Sequence, residues 1–352
     1  MIALDHSIFS LQASGGISRW WLMHSLSMTR KYGHDVHHIG PYANRNIHLE
    51  EAPRNCLPAA AGRLPLHWLW APATVPEGAR IFHSSYLRVC RDDPRVAMVF
   101  TFHDDFWLSG RSWKCQIKKA CIVRCLKRAR IIHCVSAFSK ARLMQRFPST
   151  PEHRIRVVHH GVTPPAGPPN AAMLPVSGDI ALWVGNRHLY KNGPLAFEAA
   201  ALSAGLQLVC VGGEPLSPTE QARIRELGLG ERFHHYPRAS GAELSWLYSR
   251  AVALWYPSLL EGFGLPVIEA AAHGCPVLAT AGHAVEEIGK GWPILANHPT
   301  AQWLASETET LRRDRTLRAR LASQGVELAR SYTWTRYAAE MADIYAEAEA
   351  SS

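Results

Sequence analysis

Two glutamates lie eight residues apart in a segment rich in glycine and proline. Glu261 and Glu269 belong to residues 257–270, which read PSLLEGFGLPVIEA. Two carboxylates, one in a loop and one further on in a helix, can each accept hydrogen bonds from a pair of neighbouring hydroxyl groups. The alternative is a structural loop with two surface glutamates. The unusual spacing of the whole block favours a site that binds hydroxyl groups.

The residue types around these glutamates predict a strand, a tight loop and then a helix. Gly262 and Gly264 permit close turns, and Pro266 suits the first turn of a helix. Such a loop directs free backbone N–H groups and the positive end of a helix toward a ligand. The segment therefore predicts a site for phosphate or for sugar hydroxyls.

A pair of cations provides the second chemical signal. Arg187 and Lys191 lie in the segment WVGNRHLYKNGP, residues 183–194, between a predicted strand and a helix that begins near Pro194. Two cations beside a helix N-terminus suit a diphosphate, and two solvated surface cations are the alternative. The sequence contains no D-x-D pair. We therefore expect a site without a metal ion or cofactor, in which the cations stabilise the phosphate charge.

Two weaker motifs occur near the N-terminus. Ser14, Gly15 and Gly16 precede a predicted helix, and a plain turn explains them equally well. His103 and Asp104 follow a hydrophobic strand, where a side chain could reach a ligand. An isolated histidine at such a position is more often structural.

Strands alternate with helices along most of the chain, which predicts parallel sheets covered on both faces. In the first half we predict strands at residues 2–4, 36–39, 80–83, 96–102, 131–135 and 155–159 and a helix over about 17–30. In the second half we predict strands at 180–184, 206–211, 233–236, 253–256 and 276–279. The intervening helices are predicted at about 194 onward, 220–227, 242–249 and 266–273, and a mostly helical tail at about 301–350.

A proline-rich stretch divides the two series of elements. We predict an N-terminal domain over residues 1–162, a linker over 163–178 and a second domain over 179–330. Residues 331–352 should form a final helix. Two α/β domains joined in this way are expected to face each other across a cleft, with the carboxyl ends of the strands toward it.

Charge is concentrated in the first half. The 352 residues carry a formal net charge of +9, but residues 1–160 contain 23 Lys/Arg and 10 Asp/Glu. The densest part, residues 111–130, contains eight basic residues and no acidic one. An anionic membrane surface or a lipid-diphosphate acceptor, a solvated face and nucleic acid all fit this charge. Without a nucleic-acid-binding motif, we expect no nucleic-acid partner.

The remaining composition favours a protein of the cytoplasm. We find no leader segment and no apolar run of 18 residues, so no transmembrane helix is expected. None of the eight cysteines forms a C-x-x-C pair, which favours reduced thiols over disulfides or a metal site.

These motifs together resemble the family-4 retaining glycosyltransferases of the GT-B fold. The hallmark E-x7-E corresponds to Glu261 and Glu269, and the family's Arg and Lys correspond to Arg187 and Lys191. The Gly-Gly loop, the His-Asp pair, the segment VSAFSK at 135–140, HHGV at 159–162 and a helix near Trp334 are also similar. The resemblance implies two Rossmann-like domains facing across a cleft, with the last helix returning to the first domain.

The resemblance also implies roles for individual residues. Glu261 would contact the donor sugar's hydroxyls, Glu269 would bind the ribose, and His103 would contact the sugar near the reacting carbon. The implied catalytic residues are His103, Glu261, Arg187 and Lys191. The implied donor-binding residues are Gly15, Gly16, Arg187, Lys191, Glu261, Gly262, Phe263, Gly264, Leu265 and Glu269.

The implied enzyme is a retaining, metal-independent hexosyltransferase. It would transfer a sugar from a nucleotide diphosphate to a hydroxyl of a glycan, and the leaving phosphate would take the acceptor's proton. The SGGISR and YKN segments are most similar to bacterial polysaccharide enzymes, which favours GDP-mannose over UDP-sugars. We expect a polyprenyl-diphosphate-linked acceptor and peripheral association with the inner face of the cytoplasmic membrane, supported by the segment HWLW at 67–70.

Two departures from the family pattern and several alternatives stay open. Only three residues separate Arg187 from Lys191, and Gly282-His283 replaces a serine-rich turn. The alternatives are a UDP-sugar-dependent transferase, a nucleotide-sugar epimerase, a sugar-phosphate synthase and an inactive nucleotide-binding scaffold.

Overall fold

The chain folds into two compact units. The computed structural model describes residues 1–12, 15–40, 70–91, 93–106, 110, 112–165, 174–187 and 189–350. Unit 1 comprises Met1–Gly161 and Trp334–Ser352, and unit 2 comprises Val162–Thr333. Residues 166–173 of the predicted linker, Ser14 and residues 67–69 of the tryptophan-rich segment lie outside the described residues.

Unit 1 is built on a six-stranded parallel sheet, whose strands lie in the order β2-β1-β3-β4-β5-β6. Strands buried on both faces need nearly continuous apolar sequence, and all six residues of β4, AMVFTF, are buried. The strands are β1 Ile2–Asp5, β2 Val36–Ile39, β3 Ile81–Ser84, β4 Ala97–Phe102, β5 Ile131–Cys134 and β6 Ile155–Val157.

The helices of unit 1 include one from the far end of the chain. They are α1 Ile8–Leu11, α2 Gly16–Tyr32, α3 Trp113–Arg128, α4 Ala137–Arg146 and, as numbered below in chain order, α12 Trp334–Ala350. α12 packs against α2, β3 and β4. Gly161 lies against the start of this helix, and a Cβ atom at Gly161 would be 2.5 Å from the Trp334 backbone nitrogen.

Unit 2 repeats the architecture with a second six-stranded parallel sheet, ordered β12-β11-β10-β7-β8-β9. Its first strand, β7, lies in the middle, so the chain proceeds outward from β7 on one side and returns to β10 on the other. The strands are β7 Asp179–Val184, β8 Leu206–Val211, β9 Phe233–Tyr236, β10 Ala251–Tyr256, β11 Val277–Thr280 and β12 Ile294–Ala296. Loops that diverge from neighbouring parallel strands form the usual ligand site of such sheets.

The helices of unit 2 are α5 Gly193–Leu202, α6 Pro218–Glu226, α7 Gly241–Arg250, α8 Leu265–Ala272, α9 Ala284–Gly289, α10 Ala301–Arg313 and α11 Arg315–Ala329. The prediction of two parallel α/β sheets is confirmed. The helical tail is also confirmed, as three separate helices. The sequence analysis did not predict α9 or β12, which are six and three residues long.

The described cysteines and helices add three facts. Seven cysteines are free, and six of them are buried. Among the described residues, no cluster of three or more His, Cys, Asp or Glu side chains is arranged to hold a metal ion. In the same ranges, no helix combines the length and the apolar character needed to cross a membrane.

Candidate functional site

The loop after β10 holds the first glutamate of the pair in a fixed backbone conformation. β10 is buried along its whole length, and α8 begins at Leu265. Gly264, directly before α8, has a φ of +95°, and a Cβ atom there would lie 3.2 Å from Val285 Cγ2. Glycine is therefore required both by the backbone conformation and by the close packing. Phe263 is buried, and its ring packs edge-on against Tyr332.

Lys191 and Glu261 form an ion pair at the carboxyl ends of the neighbouring strands β7 and β10. Lys191 Nζ lies 2.5 Å from Glu261 Oε1, with side-chain exposures of 13% and 10%. Nζ also donates to the hydroxyl of Tyr256 at 3.2 Å and lies over the rings of Tyr190 and Tyr256. Burial, followed by the Glu261 charge, raises the pKa of Tyr256 well above its usual value, so its hydroxyl keeps its proton. The structure thus brings two of the predicted residues into direct contact.

Glu269 lies one helix further from this pair. It is part of α8 and is 8% exposed, and one of its carboxylate oxygens accepts a 3.0 Å hydrogen bond from the Tyr248 hydroxyl. A carboxylate with two oxygens retains acceptor capacity after one such bond. Glu269 is therefore a buried acceptor held in place by its neighbour.

Arg187 has a different set of partners from Lys191. Its Nε donates to Glu220 Oε1 at 2.7 Å, and its terminal nitrogens donate to the carbonyl oxygens of Gly212 at 3.1 Å and Glu214 at 2.5 Å. One terminal nitrogen also lies 2.6 Å from His235 Nε2. The Arg187 side chain is only 5% exposed, so it ties together the loops after β7 and β8 and the start of α6.

Three residues of this region were not singled out from the sequence. His283 is buried at the start of α9, and its Nε2 forms a 3.0 Å hydrogen bond with the Ser258 carbonyl. No sequence pattern predicts a bond to a backbone carbonyl 25 residues earlier. Tyr256 lies at the end of a predicted strand, but its contact with Lys191 depends on the fold. Glu220 did carry a signal, because Ser217 and Glu220 form the S-x-x-E pattern of a capping box.

In unit 1 the Gly-Gly loop precedes a helix, as predicted. α2 begins at Gly16, and the Gly15 carbonyl accepts hydrogen bonds of 3.0 Å from the Arg19 backbone and from the Ser18 hydroxyl. A Cβ atom at Gly16 would meet nothing within 4 Å. Gly16 therefore lies where the backbone has open space beside it.

His103 follows β4 and packs against an indole ring. Its ring centroid lies 4.7 Å from that of Trp20 in an edge-on arrangement, and its Nε2 is buried with no hydrogen-bond partner among the described residues. Burial, followed by the nearby His133, lowers the pKa of His103 to about 3, so its ring is neutral at pH 7. A buried polar atom left without a partner is uncommon in a core and often marks a functional position.

A pocket within unit 1 is lined by His103 and by charged and aromatic groups. It has a volume of about 40 Å³, and Phe100 and Phe102 supply part of its apolar wall. Its polar lining consists of Tyr86, Thr101, His103, Asp104 and Lys118. Burial lowers the pKa of Lys118, and the charge of Asp104 acts in the opposite direction. The pocket can therefore offer both hydrogen-bond donors and acceptors to a polar ligand.

Two protein-family models match this chain. The model for glycosyl transferases group 1 matches residues 172–327, and the model for Glycosyltransferase Family 4 matches residues 14–164. Together they cover most of both units.

The chain is also similar to curated relatives. It is 31% identical over 197 residues to a D-inositol 3-phosphate glycosyltransferase of Mycolicibacterium paratuberculosis, covering 51% of this chain and 44% of that protein. It is 31% identical over 238 residues to a protein of the same name from Salinispora arenicola, covering 59% and 52%. The chain spans about half the length of the curated relatives it matches.

Solved structures with the same fold align over nearly the whole chain. A sucrose-phosphate synthase from Thermosynechococcus elongatus has a TM-score of 0.76 and 20% identity, covering 100% of this chain and 99% of that chain. Anabaena Alr3699/HepE, solved in complex with UDP-glucose, has a TM-score of 0.71 and 15% identity, covering 97% and 98%. At these identities the likeness shows the fold.

Proposed function

Because this chain belongs to the family-4 glycosyltransferases of the GT-B fold, we propose that it transfers a sugar from a nucleoside-diphosphate sugar to a hydroxyl group of an acceptor. The observation that carries the proposal is the contact between Lys191 and Glu261 at the carboxyl ends of β7 and β10. A cation and a hydroxyl acceptor side by side are the two groups that a phosphate-linked sugar requires.

The predicted roles fit the surroundings of each residue. Glu261 would accept the sugar's hydroxyls beside the backbone N–H groups of Phe263 and Gly264, with Gly262 and Leu265 completing the turn. Glu269 would accept the hydroxyls of the ribose. Arg187 and Lys191 would stabilise the diphosphate that leaves. Positioned charges of this kind commonly contribute about 3–4 kcal/mol to a transition state.

In this proposal the reaction retains the configuration of the sugar and needs no metal ion. The bond between the sugar carbon and the phosphate oxygen breaks while the acceptor oxygen attacks from the same face. The acceptor's proton passes to the departing phosphate. His103 is neutral at pH 7, so its ring can hydrogen-bond a sugar hydroxyl without adding charge near the reacting carbon. Gly16 would let the backbone approach the diphosphate.

For the donor we propose GDP-mannose, with UDP-sugars as the alternative outcome. The support is the similarity of the SGGISR and YKN segments to bacterial polysaccharide enzymes. HepE, of similar fold, was solved with UDP-glucose, which favours testing both nucleotides.

For the acceptor we propose a lipid-linked glycan diphosphate that unit 1 binds. Unit 1 carries 24 Lys/Arg against 14 Asp/Glu, a net charge of +10 over residues 1–161 and 334–352. On α3, Trp113 is 61% exposed and follows no buried contact, while Trp70, 44% exposed, lies beside Arg124, which donates to its carbonyl at 2.6 Å. Exposed tryptophans among basic residues suit the surface of an anionic membrane.

Vesicle sedimentation tests the membrane part of this proposal. At low salt we expect the protein to sediment with phosphatidylglycerol vesicles and to remain in solution with phosphatidylcholine vesicles. If it remains in solution with both, the membrane part is wrong, while sugar transfer can still hold.

A small phosphorylated acceptor is the second candidate. The curated relatives are named for D-inositol 3-phosphate, and the structure of highest similarity described above is a sucrose-phosphate synthase. In this chain Lys118 supplies a cation to the unit 1 pocket, which could hold a phosphate.

The experiment that tests the proposed function is release of nucleotide from GDP-mannose, UDP-glucose and UDP-N-acetylglucosamine in the presence of EDTA. Each donor is paired with a polyprenyl-diphosphate-linked sugar, with inositol phosphate and with no acceptor. Acceptor-dependent release from one donor supports the proposal, and the anomeric NMR signal of the product reports retention. Absence of release from every pair would contradict it.

A further inference from the structure

Both cations of the proposed diphosphate site are bound by carboxylates of the protein. Lys191 contacts Glu261, and Arg187 contacts Glu220. The contacts of Arg187 occupy its Nε and both terminal nitrogens, and 5% of its side chain is exposed. A guanidinium group has five N–H donors, so few of them are left for a ligand.

Glu220 differs in exposure from the arginine that it binds. Its side chain is 24% exposed, compared with 5% for Arg187. Burial alone would raise the pKa of Glu220, but hydrogen bonds from Arg187 and Ser217 outweigh burial and keep the pKa below its usual value. Glu220 is therefore an anion at neutral pH, and a second anion at Arg187 would meet its charge.

We propose that Glu220 competes with the donor diphosphate for Arg187, so that donor binding exchanges a carboxylate for a phosphate on this arginine. The inference rests on the proposed function and adds a residue that sets donor affinity. Like charges brought together at a partly desolvated site repel each other. Glu220 must therefore release Arg187 when the diphosphate binds, and its charge lowers the affinity for the nucleotide. It acts through Arg187 and is a positioning residue.

The fold supplies a matched control for Glu220. Ser217 and Glu220 form a capping box at the start of α6, in which the Ser217 N–H donates to Glu220 Oε2 at 2.8 Å and the Glu220 N–H donates to Ser217 Oγ at 3.2 Å. Ser240 and Glu243 form the same box at the start of α7, with distances of 2.7 Å and 3.2 Å. Glutamine serves equally well at this position of a capping box. Changing either glutamate to glutamine therefore keeps the helix cap and removes one charge.

The test measures binding of GDP, GMP and guanosine, and of the uridine series, to Glu220→Gln and Glu243→Gln proteins. We expect Glu220→Gln to bind the diphosphate about fivefold more tightly, the monophosphate less so and the nucleoside unchanged, because repulsion grows with ligand charge. Glu243→Gln should bind all three like the wild type. In an Arg187→Gln background, Glu220→Gln should have no further effect, because its action passes through Arg187.

Three results would overturn the proposal. Glu220→Gln could weaken or leave unchanged the binding of the diphosphate, it could change all three ligands equally, or its effect could persist without Arg187. If wild-type protein binds no nucleoside diphosphate, the proposed function fails together with this inference. If wild-type protein binds one and Glu220→Gln behaves like Glu243→Gln, only this inference fails.

A second measurement covers the case in which Glu220→Gln does not fold. The Arg187 Nε–H signal in a ¹⁵N NMR spectrum of the wild-type protein, assigned from its loss in Arg187→Lys, reports the bond to Glu220. It should shift when the nucleoside diphosphate is added and stay in place when the nucleoside is added. A signal that ignores both would contradict the exchange.

Discussion

The two units use buried polar side chains in different ways. In unit 1 neutral histidines, tyrosines and tryptophans form a hydrogen-bonded network beneath α12. In unit 2 the polar groups that matter are ion pairs at the carboxyl ends of strands. The difference teaches that one sheet architecture can spend its polar residues on attaching a helix or on holding charge where a ligand could replace it.

The network in unit 1 links α12 to the sheet through successive hydrogen bonds. The Tyr337 hydroxyl lies 2.8 Å from His24 Nδ1, and the Tyr345 hydroxyl lies 2.9 Å from His24 Nε2 and 2.7 Å from His83 Nδ1. His83 Nε2 in turn lies 2.7 Å from Thr101 Oγ1. All five side chains are buried. Since these groups are uncharged, the network needs no solvation, but it cannot accept a proton without breaking.

In unit 2 the charged groups stay partly accessible. Glu261 and Lys191 retain 10% and 13% exposure, and Glu220 retains 24%. A half-buried ion pair can exchange one partner for a ligand of the same charge, whereas a fully buried neutral bond cannot. This is why we assign donor binding to unit 2 and helix attachment to the network of unit 1.

Acidification should separate the two units, with the largest effect on unit 1. Burial, followed by nearby histidines, lowers the pKa values of His6, His24, His83 and His160 well below 6.5, and burial lowers that of His133 to about 4. The folded state keeps these rings neutral, while the unfolded chain takes up protons below about pH 6.5. The stability is therefore fully present above about pH 6.5 and falls with decreasing pH, by about 1.4 kcal/mol per pH unit for each such histidine.

Hydrogen exchange between pH 7.5 and 5 measures this effect. We expect the backbone amides of α12 and α2 to lose protection first, and those of α10 and α11 later. Unit 2 also contains histidines whose pKa values burial lowers, His234, His235 and His283, but they are less deeply buried. Equal loss of protection in both units, or none in α12 above pH 5, would contradict the comparison.

A smaller effect is expected from removing one hydroxyl of the network. Tyr345→Phe leaves His24 Nε2 and His83 Nδ1 without the partner that they share, and each unsatisfied buried group costs about 1–3 kcal/mol. We expect the free energy of unfolding to fall by about 2–4 kcal/mol in a urea titration. Tyr32→Phe, at a half-buried position on α2, serves as the control and should change it by less than about 0.5 kcal/mol. A Tyr345→Phe protein as stable as this control would show that the network does not hold α12.

Much of the fold could be predicted because the strands are continuous apolar runs between turn residues. Val36–Ile39, Leu206–Val211 and Phe233–Tyr236 have the predicted bounds. The short elements α9 and β12 lacked a long enough pattern, and sequence periodicity could not indicate which strand is central. Strand order depends on packing between distant segments, so β7 beside β10 is known only from the fold.

The candidate site was predictable residue by residue and not contact by contact. The spacing of Glu261 and Glu269 indicated a site for hydroxyls, and the sequence placed Lys191 near a helix start. It could not show that Lys191 binds Glu261 or that Arg187 turns toward Glu220, because these pairs join segments 70 and 33 residues apart. The histidine network was hidden for the same reason, since its members are scattered through the chain.

The most direct test of the central claim is the nucleotide-release assay in EDTA, performed on the wild-type chain and on matched lysine variants. With the preferred donor, Lys191→Gln should lower turnover by about 100-fold or more, because it removes a charge that stabilises the departing phosphate. Lys290→Gln, at an exposed position in the same unit, should match the wild type. Equal turnover by Lys191→Gln and Lys290→Gln would contradict the assignment of the site between β7 and β10.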